Sequence, residues 1–100
     1  MANTLDWAVF LKLFVHIYEA CFCFVNESND KEHWLGISPG FDKPYWIGYC
    51  DVPDGKEYST AEDLVNDKVF DGKSLKERWE AVQFLSINGE NPEDWLKKFD

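Results

Sequence analysis

The sequence predicts an α+β fold: an N-terminal helix, a three-stranded antiparallel β-meander, and three short C-terminal helices. Three observations lead there. Apolar residues recur at helical spacing over residues 4–19, three short apolar runs divided by polar or turn-rich segments follow up to residue 51, and three helix start-and-stop signals come after Pro53-Asp54-Gly55. A chain of 100 residues suits one domain, and 45% hydrophobic and 17% aromatic residues supply a core that a disordered chain lacks.

In the first segment Trp7, Phe10, Leu11, Phe14, Ile17 and Tyr18 share one helical face, with Lys12, His16 and Glu19 opposite. Asn3 or Thr4 can cap the start, and Asp6 suits the positive end of the helix dipole. Residues 20–25 place Cys21, Cys23 and Val25 on one side and Phe22 and Phe24 on the other, as in a strand covered on both faces. Residues 26–32 are polar and read as a loop.

The next two strands, 33–38 and 45–51, carry an internal echo, Trp34-Leu35-Gly36-Ile37 and Trp46-Ile47-Gly48-Tyr49. A hairpin centred on Phe41 sets Trp34 opposite Gly48 and Gly36 opposite Trp46, so that each indole covers a bare glycine backbone. A slip of one residue would destroy that pairing.

The remainder reads as helical. Ser59 or Thr60 caps a helix at 61–70 that Asp71-Gly72 ends. Ser74 caps another at 75–86, with Leu75, Trp79 and Val82 on one face, and Asn88-Gly89 ends it. In that helix Phe84 falls on the polar side, near Glu77 and Glu80. Asn91 and Pro92 open the last helix, with Glu93 and Asp94 early and Lys97 and Lys98 late. A meander with helices on one face is the arrangement expected of such an order.

Charge narrows the function classes. With 19 acidic and 10 basic residues the net charge is −9, which disfavours direct binding to nucleic-acid phosphates or anionic membranes and favours a basic protein partner or plain solubility. The apolar stretch from Trp7 to Val25 has no basic leader and is interrupted by Lys12, His16 and Glu19, unlike a signal peptide or a membrane span. Three cysteines, an odd number, then suggest reduced thiols in a cytoplasm, and the sequon Asn26-Glu27-Ser28 is read as chance.

Catalytic and metal motifs fail on spacing. Cys21-Phe22-Cys23 is not a zinc knuckle, and no second pair stands at a usual interval. The segment from Asp51 to Glu62 has the length of an EF-hand loop but Pro53, Gly55 and Lys56 at positions that need oxygen ligands or glycine. Cys50 is the best candidate nucleophile, because it could lie near His33 across the hairpin, yet His33 pairs nominally with Tyr49 in the predicted register and so points to the face opposite Cys50. No glycine-rich phosphate loop is present, and no cofactor or metal is expected.

Two features remain. Residues 51–71 carry Asp51, Asp54, Glu57, Glu62, Asp63, Asp67 and Asp71 against Lys56 and Lys68, and aromatics such as Tyr58 and Phe84 can anchor an interface. They predict a non-enzymatic protein-binding module whose partner surface comprises Asp54, Glu57, Tyr58, Glu62, Asp63, Asp67 and Phe84. The sharper form is a small acidic inhibitor that occupies a basic nucleic-acid groove, by analogy with phage or mobile-element inhibitors. Thr60 to Gly89, with Phe70-Asp71-Gly72-Lys73-Ser74-Leu75 at its centre, resembles small bacterial or phage proteins without pointing to a named family, and transfers no functional residue. The alternatives are a small-ligand or thiol-dependent enzymatic domain near Cys50 and His33, and a structural subunit that self-associates through a sheet edge or Phe84.

Overall fold

The computed structural model describes residues 5–25, 32–48 and 55–99. The chain runs α1 (Trp7–Leu13), a 3-10 turn (Phe14–His16), β1 (Ala20–Phe24), β2 (His33–Ile37), β3 (Tyr45–Ile47), β4 (Lys56–Tyr58), α2 (Ala61–Asn66), a second 3-10 turn (Trp79–Ala81), β5 (Val82–Ile87) and α3 (Pro92–Lys97). All five strands pair antiparallel in the order β4-β3-β2-β1-β5. The α+β class stands, but the three-stranded meander followed by three helices does not: the sheet gains residues 56–58 at one edge and residues 82–87 at the other.

The first helix is shorter than its periodicity predicts. Asp6 is the cap, its Oδ1 accepting from the Val9 N–H at 2.9 Å, and Asn3 and Thr4 lie outside the described residues. At the other end Ile17 turns extended, and the N–H groups of Tyr18 and Glu19 donate to the Asn88 side chain instead of to a helical turn. Phe10, Phe14 and Ile17 therefore reach the core, whereas Tyr18 is left 53% exposed and Leu11 37% exposed.

The β2–β3 hairpin has the predicted register. Gly36 lies opposite Trp46 and Leu35 opposite Ile47, and the Gly48 N–H donates to the Trp34 carbonyl at 2.8 Å. A Cβ on Gly36 would sit 2.8 Å from Cζ2 of Trp46, so the indole does cover that glycine. The same Cβ would sit 2.2 Å from the Tyr18 carbonyl oxygen, a second constraint that comes from the segment leading into β1.

The largest departure is at 75–86. The cap that predicts a helix there is real: the Ser74 N–H donates to Glu77 Oε1 at 2.9 Å, and the Glu77 N–H donates to Ser74 Oγ at 3.1 Å. It supports only a short turn, and at Val82 the backbone turns extended. From there Val82 and Phe84 are buried and Gln83 is exposed, the alternation of a strand, and Ala20 to Phe24 supply the partner backbone. Leu85 is the extra residue of a bulge: Phe84 pairs with Phe22 and Ser86 with Cys21. Without β5, strand β1 would be an apolar edge. Sheet completion outweighs the helical signal of the cap.

Asp71-Gly72 and Asn88-Gly89 both act as tight two-residue loops. All four have positive φ, and the flanking residues bridge, Phe70 with Lys73 and Ile87 with Glu90. The other caps are where the sequence puts them. Thr60 Oγ1 accepts from the Asp63 N–H at 3.0 Å, and Asn91 Oδ1 accepts from the Glu93 N–H at 2.9 Å.

One face of the sheet, with Ala20, Phe22, Phe24, Leu35, Ile47, Val82, Phe84 and Ile87, joins Phe10, Phe14 and Ile17, then Leu64, Val65, Phe70, Leu75 and Trp95, in the buried core. Phe10 links the layers, its ring 4.7 Å from Trp79 and 5.8 Å from Phe84. Cys21, Trp34 and Trp46 point to the other face, and both indoles are half-buried. No helix among the described residues is long and apolar enough to cross a membrane.

Candidate partner-binding site

The acidic stretch folds into the corner where edge strand β4 meets α2. Lys56 and Tyr58 stand two apart on β4 and so share a face. Both reach Asp67, just past the end of α2: Lys56 Nζ donates to Asp67 Oδ2 at 2.5 Å and the Tyr58 hydroxyl donates to the same oxygen at 2.8 Å. The Lys56 hydrogen bond holds the Asp67 carboxyl below the usual aspartate value against the opposing cost of its partial burial, with Tyr58 adding to the effect. Burial, and then the adjacent Asp67 carboxylate, push the Tyr58 hydroxyl far above its ordinary value. This triad braces the corner. An open recess of about 390 Å³ lies beside it, with Glu57, Asp63 and Asp67 among its acidic lining and Lys43 and Lys56 among its basic lining.

The structure sorts the predicted partner residues. Glu57 is exposed on β4, and Glu62 and Asp63 are exposed in the first turn of α2. Asp67 is already engaged by Lys56 and Tyr58. Tyr58 is 7% exposed, so its ring belongs to the core and only its hydroxyl meets the polar corner. Phe84 is 6% exposed, on β5 at the far edge of the sheet, with its ring 5.7 Å from Phe22. The exposed ring expected on the polar side of a helix is thus a core ring on a strand. Asp54 lies outside the described residues. Lys43 was missed. The bracing role of Lys56 was legible in the Lys56-Glu57-Tyr58 spacing once 56–58 is read as a strand.

Of the residues proposed for thiol chemistry, His33 alone lies among the described residues. His33 is 2% exposed, stacked on Phe22 at 5.3 Å and edge-on to Phe24 and Phe70 at 4.8 and 5.5 Å. Tyr49 and Cys50 lie outside the described residues. Among the described residues no three His, Cys, Asp or Glu side chains converge as metal ligands. A second recess, of about 310 Å³, is lined by Lys73, Glu77, Arg78, Glu80 and Ala81, and the Arg78 guanidinium lies 3.6 Å from the centre of the Phe24 ring.

Comparison of the chain with protein families, with curated proteins and with solved structures found no match.

Proposed function

We propose that the protein is a non-enzymatic protein-binding module that presents the β4–α2 corner to a basic partner surface. The observation that carries this reading is the placement of Glu57 and Asp63, both exposed, in the lining of the recess at a corner that Lys56, Tyr58 and Asp67 hold in place, with exposed Glu62 next to Asp63 in the first turn of α2. Charges on a braced scaffold keep their spacing as a partner approaches, which favours fast and selective association with a surface of opposite sign. The sharper form is an inhibitor that covers the nucleic-acid groove of its target. The net charge of −9 supports it, because such a groove is built to attract polyanions.

The test is affinity capture from a nuclease-treated bacterial lysate on the immobilised chain, eluted with a salt gradient, beside the triple variant Glu57→Lys, Glu62→Lys, Asp63→Lys. The expected result is one dominant basic nucleic-acid-binding protein whose retention falls about tenfold or more with the variant. Equal retention by the variant overturns the reading.

A further inference from the structure

The Asn88-Gly89 loop does more than turn the chain. The Asn88 side chain meets three main-chain groups at the point where the N-terminal helical segment gives way to β1. Its Oδ1 accepts from the N–H groups of Tyr18 at 2.8 Å and Glu19 at 3.0 Å, and its Nδ2 donates to the His16 carbonyl at 2.8 Å. Its own N–H donates to the Glu19 carbonyl at 2.7 Å. This one residue thus serves four main-chain groups of residues 16–19 and fastens the end of β5 to the entry of β1. Gly89 is exposed, and nothing lies within 4 Å of where its Cβ would be.

Asparagine followed by glycine is also a reactive pair. With no Cβ on the following residue, its main-chain nitrogen can close on the asparagine Cγ. We propose that Asn88-Gly89 is a deamidation site gated by the fold. In the reaction the Gly89 nitrogen loses its proton and bonds to Asn88 Cγ, the Cγ–Nδ2 bond breaks, and the departing nitrogen takes up a proton and leaves as ammonia. Water then opens the five-membered imide, leaving aspartate or isoaspartate at position 88. No redox partner is required.

The latch controls this chemistry because the carboxamide that must be attacked is held by residues 16–19. It is free to meet the Gly89 nitrogen only in the fraction of molecules in which the loop has parted from that segment, so the rate follows the population of the open form. The aspartate product can still accept from the Tyr18 and Glu19 N–H groups but cannot restore the latch as a whole. A carboxylate has no proton to donate to the His16 carbonyl and sets a negative charge against that oxygen. The site therefore records, irreversibly, how long the end of β5 has spent away from the entry of β1.

The test uses the wild-type chain, aged at mildly alkaline pH either folded or in unfolding urea. Deamidation at position 88 is followed by peptide mass spectrometry, with the aspartate and isoaspartate products separated by chromatography. Three hydrogen bonds must open first, so the folded protein should react about 100-fold more slowly. A folded-state rate within about tenfold of the unfolded rate overturns the gating. Chain aged in urea and returned to native buffer, and Asn88→Asp, should both melt several degrees below fresh wild type or fail to refold. An unchanged Tm in both overturns the claim that the product breaks the latch.

Discussion

At Gly36 a single carbon decides whether the sheet closes. Its hypothetical Cβ meets a main-chain oxygen, which cannot swing aside as a side-chain tip can. Gly36→Ala should therefore cost about 3 kcal/mol in urea denaturation, the upper end for overpacking. Gly40 makes the contrast: its φ is +98° and nothing stands within 4 Å, so Gly40→Ala bears only the backbone penalty, about 1 kcal/mol. Two groups of this corner shape the pH profile: Asp67, held down chiefly by the Lys56 hydrogen bond, and Tyr58, pushed up chiefly by burial and then by Asp67. The folded-state value of Asp67 is depressed, so its contribution is complete above the ordinary 3.8 and is lost as pH falls below it toward the folded value. The folded-state value of Tyr58 is raised, so its contribution is complete below the ordinary 10.0 and is lost as pH climbs above it. Urea midpoints across pH should show both limbs. Asp67→Asn should flatten the acid limb, while Tyr58→Phe should flatten the alkaline limb and cost about 1 kcal/mol at neutral pH.

At the scale of elements, β5 separates what a local reading can and cannot reach. Phe84→Ala should cost about 3–5 kcal/mol, as expected of a core ring, whereas Leu85→Ala, one residue on and exposed in the bulge, should cost less than about 1 kcal/mol by the same denaturation measurement. The β2–β3 hairpin was legible because its information is local: two Trp-x-Gly echoes around a turn fix the register. The caps at Ser74, Thr60 and Asn91 were legible for the same reason. Strand β5 was not, because its partner β1 lies some sixty positions earlier, and a capping box says where a helix starts but not how far it runs. The end of the first helix was hidden likewise, since the group that halts it is the side chain of Asn88. In the candidate site the acidic residues could be read from composition alone. That Asp67 is paired, Tyr58 buried and Phe84 at the opposite edge could be known only from the sheet order.

Over the whole molecule, the charge of −9 is repelled from within rather than neutralised in place. Ion pairs such as Lys56–Asp67, Lys97–Asp94 and Lys98–Glu90 are local and partly exposed, and each contributes so little that screening it costs little. Added sodium chloride should therefore raise the Tm by screening repulsion. A Tm that falls as salt is added from low to moderate ionic strength would show that the pairs outweigh the repulsion.

The place of β1 inside the sheet, between β2 and β5, also sets a timetable for synthesis. While the chain is being made, β1 to β4 can zip together in sequence, but the outer side of β1 has no partner until residue 87 has left the ribosome. Throughout that interval Ala20, Cys21, Phe22, Cys23 and Phe24 present an apolar strand edge to whatever is near. A nascent chain stalled before Val82 should be the most aggregation-prone form of this protein and the form most in need of a chaperone. Release of the last strand, rather than formation of the hairpin, is the step that ends the hazard.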